Sequence, residues 1–149
     1  MRNKPLGEII TPTWDIPWGM RFFVQGELAN KLYRRGQNNR LTSISQIVIE
    51  ELYRITGIKK PNNIDELDDS GIQIQGKPNT PGFSMTLDIT FFDGRLPYTL
   101  DSLNENGCNL EVFIVSLLNT ALCGEPGEDV IDSEALCCLA LPDSWFEEE

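Results

Sequence analysis

The chain has 149 residues, 40% hydrophobic and 23% charged, with four Cys and no His. This is one domain or two very small ones, with enough apolar content for a core; a disordered chain, a collagen and a coiled-coil rod are excluded. No apolar run reaches the roughly 18 residues a membrane-spanning helix requires. Residues 1–19 lack the continuous apolar stretch of a signal peptide, so a cytoplasmic protein is expected. The absence of His removes Ser-His-Asp and Cys-His catalysis. Cys108, Cys123, Cys137 and Cys138 contain no C-x-x-C pair, so the expectation is four reduced thiols and no metal. No cofactor and no enzymatic activity are expected.

Charge divides the chain. Residues 1–60 carry ten Lys/Arg and five Asp/Glu, and residues 61–149 carry two and eighteen. A basic part that meets a polyanion and an acidic part with another task fit this split. An acidic surface that only aids solubility fits the second half equally well.

In chain order, residues 1–19 read as an arm with three Pro and two Trp, Trp14 and Trp18. Residues 20–25 alternate as a short strand, with Phe22 and Val24 on one face and Arg21, Phe23 and Gln25 on the other. Gly26 ends it. A helix follows over 27–35, with Leu28 and Leu32 one turn apart and Gly36 as its stop. Thr42 or Ser43 caps a second helix to about Thr56, closed by Gly57; its apolar residues are Ile44, Ile47, Val48, Leu52 and Ile55. Residues 58–84 read as a linker, within which Ile72-Gln73-Ile74-Gln75 forms a small strand candidate. Residues 85–90 alternate again. A helix is predicted over 96–104, and Asn109 caps a very apolar helix beyond it. Residues 124–149 are an acidic extension, with a short helix over 133–141 and Trp145-Phe146 ahead of three Glu. Trp145 and Phe146 are candidate partner-binding residues, suited to a basic groove of another protein or of this chain; an untethered terminus is the alternative.

The segments repeat. At an offset of 65, Met20, Phe22 and Val24 fall on Met85, Leu87 and Ile89. At 66, Ser43, Ile44, Ile47, Val48 and Leu52 fall on Asn109, Leu110, Phe113, Ile114 and Leu118. An α+β fold with two strand-helix-helix copies, 20–57 and 85–123, is expected. Gly71 to Lys77 matches G-x-x-x-x-G-K, but Pro78 stands where a phosphate loop has Ser or Thr, and this reading is dropped. Asp65, Glu66, Asp68 and Asp69 lack calcium-loop spacing.

Residues 20–57 resemble the ribbon-helix-helix DNA-binding family of Arc, MetJ and CopG type. The resemblance rests on the strand Arg21–Gln25, the helix Glu27–Arg35, the Asn/Gly-containing turn, and Thr42-Ser43-Ile44-Ser45-Gln46 opening the second helix. It implies paired antiparallel strands in the major groove, with Arg21, Phe23 and Gln25 facing base edges. Arg suits guanine and Gln suits adenine, whereas Phe23 departs from this chemistry. Ser43 and Ser45 would hold a phosphate at the helix N-terminus, and Arg34, Arg35 and Arg40 would add backbone contacts. The Gly26-Glu27 connection is shorter than the family's usual one.

The second copy presents Thr86, Asp88 and Thr90, with Arg95 the only cation from 78 onward. It pairs either with the first copy in an intramolecular pseudo-dimer or with its equivalent in a homodimer. The leading expectation is therefore a double-stranded DNA-binding regulator. The alternative is an acidic module, antitoxin-like or inhibitory, that occupies a basic nucleic-acid-binding surface on a partner protein. The fused arrangement favours the protein partner, because it offers only one set of base-reading residues.

Overall fold

The computed structural model describes residues 17–38, 42–104, 109–124 and 130–146. The fold is α+β: among the described residues, a three-stranded antiparallel sheet with five helices. Strand β1 (Trp18–Gln25) leads into α1 (Gly26–Asn38) and α2 (Ile44–Thr56). A 3-10 turn (Ile64–Glu66) and β2 (Ile72–Gln75) follow. Then come β3 (Ser84–Phe91), α3 (Arg95–Leu103), α4 (Leu110–Cys123), α5 (Ser133–Cys138) and a second 3-10 turn (Asp143–Trp145).

The sheet order is β1-β3-β2. Phe22 lies opposite Leu87, Val24 opposite Met85 and Met20 opposite Ile89. Phe22 and Leu87 are also the equivalent residues of the two repeats, so the register is that of a local two-fold through this pair. Alternation sends Phe22, Val24, Met85, Leu87, Ile89 and Phe91 inward, all buried. They meet Leu28 and Leu32 of α1, Val48, Ile49 and Leu52 of α2, Leu96 and Leu100 of α3, and Ile114 and Leu118 of α4. Each such side chain contributes roughly 1.5–3 kcal/mol on full burial. One core thus spans both repeats. Lys31 on α1 ties them further: its Nζ donates to the Leu122 carbonyl at 2.5 Å, where the C-terminal turn of α4 has carbonyls without helical partners.

Local signals explain the element ends. Gly26 has φ +64° and donates to the Phe83 carbonyl at 2.9 Å. This single left-handed residue turns strand directly into helix, which accounts for the short connection. Ser43 Oγ accepts from the Gln46 amide, and Asn109 Oδ1 from the Val112 amide. Gly57, at φ +79°, closes α2 by donating to the Tyr53 carbonyl.

Two expectations change. Gly36 does not stop α1, which continues to Asn38; a Cβ there would lie 2.7 Å from Ile44 Cγ1, so glycine serves close packing of α1 on α2. The strand candidate Ile72–Gln75 within 58–84 is β2, which extends the sheet along β3. The G-x-x-x-x-G-K stretch is this strand. Helix α5 ends at Cys138, three residues short of the predicted end. Arg40, Cys108, most of the 1–19 arm including Trp14, and the terminal Glu147–Glu149 lie outside the described residues.

Candidate functional site

The residues singled out for base reading stand together on the outer sheet face. Arg21, Phe23 and Gln25 are exposed on β1, opposite Asp88, Thr86 and Ser84. Their geometry is set by the strand period and needs no special local structure. Arg21 is already engaged. Its Nε and Nη2 donate to the two carboxylate oxygens of Asp88, each at 3.1 Å, a bidentate fork. The hydrogen bond from Arg21 holds the Asp88 carboxyl below the usual range, and the Arg21 guanidinium is correspondingly raised. Among the described residues Arg21 is the only cation on this face.

The third strand also matters. A major groove about 12 Å wide admits a two-stranded ribbon, and β2 widens this one by about 4.8 Å. Gln73 and Gln75 stand opposite Thr86 and Ser84 and extend the polar face.

The N-terminus of α2, where the resemblance implies a phosphate, is occupied by the chain itself. The Ser45 amide donates to Asp69 Oδ1 at 3.1 Å, and Ser43 Oγ donates to the Leu67 carbonyl at 2.8 Å. A carboxylate here does for the helix dipole what an external anion would do. Ser45 is buried, and its hydroxyl oxygen has no hydrogen-bond partner. In the second repeat Glu111 supplies a carboxylate within the first turn of α4.

The remaining predicted residues separate. Arg34 donates to the Asn79 side chain at 3.3 Å. Arg35 lines a cleft of about 520 Å³ on the far flank of α2, with Arg54, Glu51 and Lys60. Trp145 is buried, packed edge-on against Tyr98, and its carbonyl accepts from the Lys59 amide at 2.7 Å. Phe146 forms a bridge with Ile58. The aromatic pair therefore docks on this chain's own body.

Sequence reasoning missed one feature of the outer face. Phe23 and Val112, the two most exposed large apolar side chains described, are 51% and 56% exposed. With Arg21, Asn109, Glu111 and Val115 they line a depression of about 260 Å³ between β1 and the start of α4. The sequence shows α4 as apolar almost all round and so does not single out Val112; only the docking of α4 on β1 decides which side faces water.

No helix among the described residues is long and apolar enough to cross a membrane, and no metal-ligand cluster occurs among them. No family model, no curated protein and no solved structure matches the chain.

Proposed function

We propose that the chain is a protein-binding module built on two fused strand-helix-helix units, and that its partner presents a basic surface. The observation that carries this reading is the bidentate Arg21–Asp88 contact. It neutralises the cation that a DNA reader would offer to guanine. The carboxylate at the α2 N-terminus supports the same reading, as does the third strand. The docking face is the depression at Phe23 and Val112, rimmed by Glu111. Charge complementarity names the occupant: residues 61–149 carry eighteen carboxylates against two cations, which steers encounter with a basic segment.

DNA binding in the ribbon-helix-helix manner remains the second reading, favoured by one observation: β1 and β3 pair antiparallel about a local two-fold. One experiment separates the two. Fluorescence anisotropy of a mixed-sequence duplex is followed with the full chain over a salt series. The protein-binding reading expects no tight complex at any salt. Tight binding that falls steeply as salt rises would overturn it in favour of DNA. In parallel, zero-length carboxyl-to-amine cross-linking in the source cells is expected to join partner lysines to Glu111 and neighbouring carboxylates. Phe23→Asp is expected to abolish that product while leaving the circular dichroism spectrum unchanged.

A further inference from the structure

A second site, which shares no lining residue with the Phe23–Val112 depression, is independent of the partner-binding reading. The end of α2, the segment after it and the start of α3 converge on an open cleft of about 230 Å³, lined by Tyr53, Lys59, Lys60, Asp93 and Arg95 among others. Three cations against one carboxylate leave it with about two positive charges, in a chain whose net charge is −11. Neither lysine has an ion-pair partner among the described residues.

Arg95 is the informative side chain. Its amide donates to Asp93 Oδ1 at 2.9 Å, which fixes the start of α3. Its Nε lies 3.8 Å from Asp93 Oδ2, beyond hydrogen-bond reach, and this buried N–H has no acceptor. That nitrogen is enclosed by the protein, so the part of Arg95 open to an arriving oxygen is the rest of the guanidinium, on a side chain 38% exposed. The lysines spring from fixed backbone, because the Lys59 amide is held by the Trp145 carbonyl and Ile58 bridges Phe146. That rigidity lowers the ordering cost of binding. Burial pushes the Tyr53 phenol well above its usual range, with Asp93 adding to the effect and Arg95 opposing it, so the ring keeps its proton.

We propose that this cleft binds a phosphate group of a small phosphorylated ligand. A phosphate monoester carries about −1.5 to −2 charges at neutral pH, which matches the cleft, whereas a carboxylate supplies half of that. The volume is below the roughly 300 Å³ of common ligand pockets, which suits a phosphate group more than a whole nucleotide. Lys60 also lines the adjoining larger cleft with Arg35 and Arg54, which gives room for the rest of the molecule.

The test is a titration of the ¹⁵N-labelled full chain with inorganic phosphate, in constant salt, with acetate as the control anion. The expected result is a saturable shift of the Arg95 Nε–Hε resonance and of the Lys59 and Lys60 amides, with acetate at least tenfold weaker. Lys60→Gln, at an exposed position, is expected to weaken phosphate at least tenfold without altering the fold, and Arg95→Gln to do the same. Linear, non-saturating shifts would overturn the proposal, as would acetate binding as well as phosphate, or a Lys60→Gln protein of unchanged affinity.

Discussion

The two strand-helix-helix units share one architecture and differ in what they show to water. Both place alternate apolar residues of a strand inward, and both cap the second helix with a side-chain oxygen, Ser43 in one and Asn109 in the other. Both put a carboxylate at that helix's N-terminus, but by different routes. In the first unit Asp69 arrives from the connector, 24 residues away in sequence; in the second Glu111 belongs to the helix itself. The apolar pattern is therefore sufficient for the pairing, and the polar outfit is free to diverge. On the outer face the divergence becomes complementary, as Arg21 of one unit is answered by Asp88 of the other. The two positions are not equivalent in the repeat: at offset 65 Arg21 falls on Thr86 and Phe23 on Asp88, so two copies of the first unit would set Arg21 against Phe23 and lose the ion pair.

Breaking the comparison outright should have the largest effect. Residues 1–63 alone lose β3, the partner of every residue of β1, together with the half of the core supplied by α3 and α4. The fragment is expected to show no cooperative urea transition and little helical circular dichroism. Next come the two residues on the local axis. Phe22→Ala and Leu87→Ala, both fully buried, should each destabilise by about 3–5 and 2–5 kcal/mol respectively in urea melts. A large effect at one and none at the other would mean that the core is not shared. A smaller loss, about 0.3–1 kcal/mol, is expected for Asp69→Ala, which removes the carboxylate from the α2 N-terminus; parallel urea melts measure it.

The smallest effect on stability is expected at Arg21→Ala, because both partners are exposed, 72% and 50% at the side chain. Its signature lies in titration. Asp88 is held below the usual carboxyl range by Arg21, so its contribution is present above the unfolded-state pKa and is lost as pH falls through the folded value. Removing the guanidinium should raise the Asp88 titration toward ordinary values and flatten that acid-side loss, as read by carboxyl ¹³C shifts against pH.

What was legible in the sequence was local. The strand periods, the Ser43 and Asn109 caps and the Gly57 stop depend on residues within four positions of one another. The repeat at offset 65 also matched Phe22 with Leu87, the one equivalent pair that lies face to face, while Met20 and Val24 face Ile89 and Met85; alternation, identical within a chain and between chains, does not say which arrangement forms. Non-local matters were hidden. Nothing in Asp65–Asp69 says that Asp69 reaches Ser45, because that depends on the path of the connector. Gly36 read as a stop because its neighbour Ile44 is out of view. Of the candidate site, Arg21 and Phe23 were found by alternation; Val112 was not. The phosphate cleft was invisible for the same reason, since Tyr53, Lys59 and Arg95 come together only when α3 packs beside α2.

The most direct test of the account is whether β1 and β3 of the same chain pair. In an equimolar mixture of ¹³C-labelled and unlabelled protein, contacts between Phe22 and Leu87 are recorded with isotope editing and filtering. The account predicts that these contacts appear only within labelled molecules, at every protein concentration. A Phe22–Leu87 contact between a labelled and an unlabelled chain would contradict it.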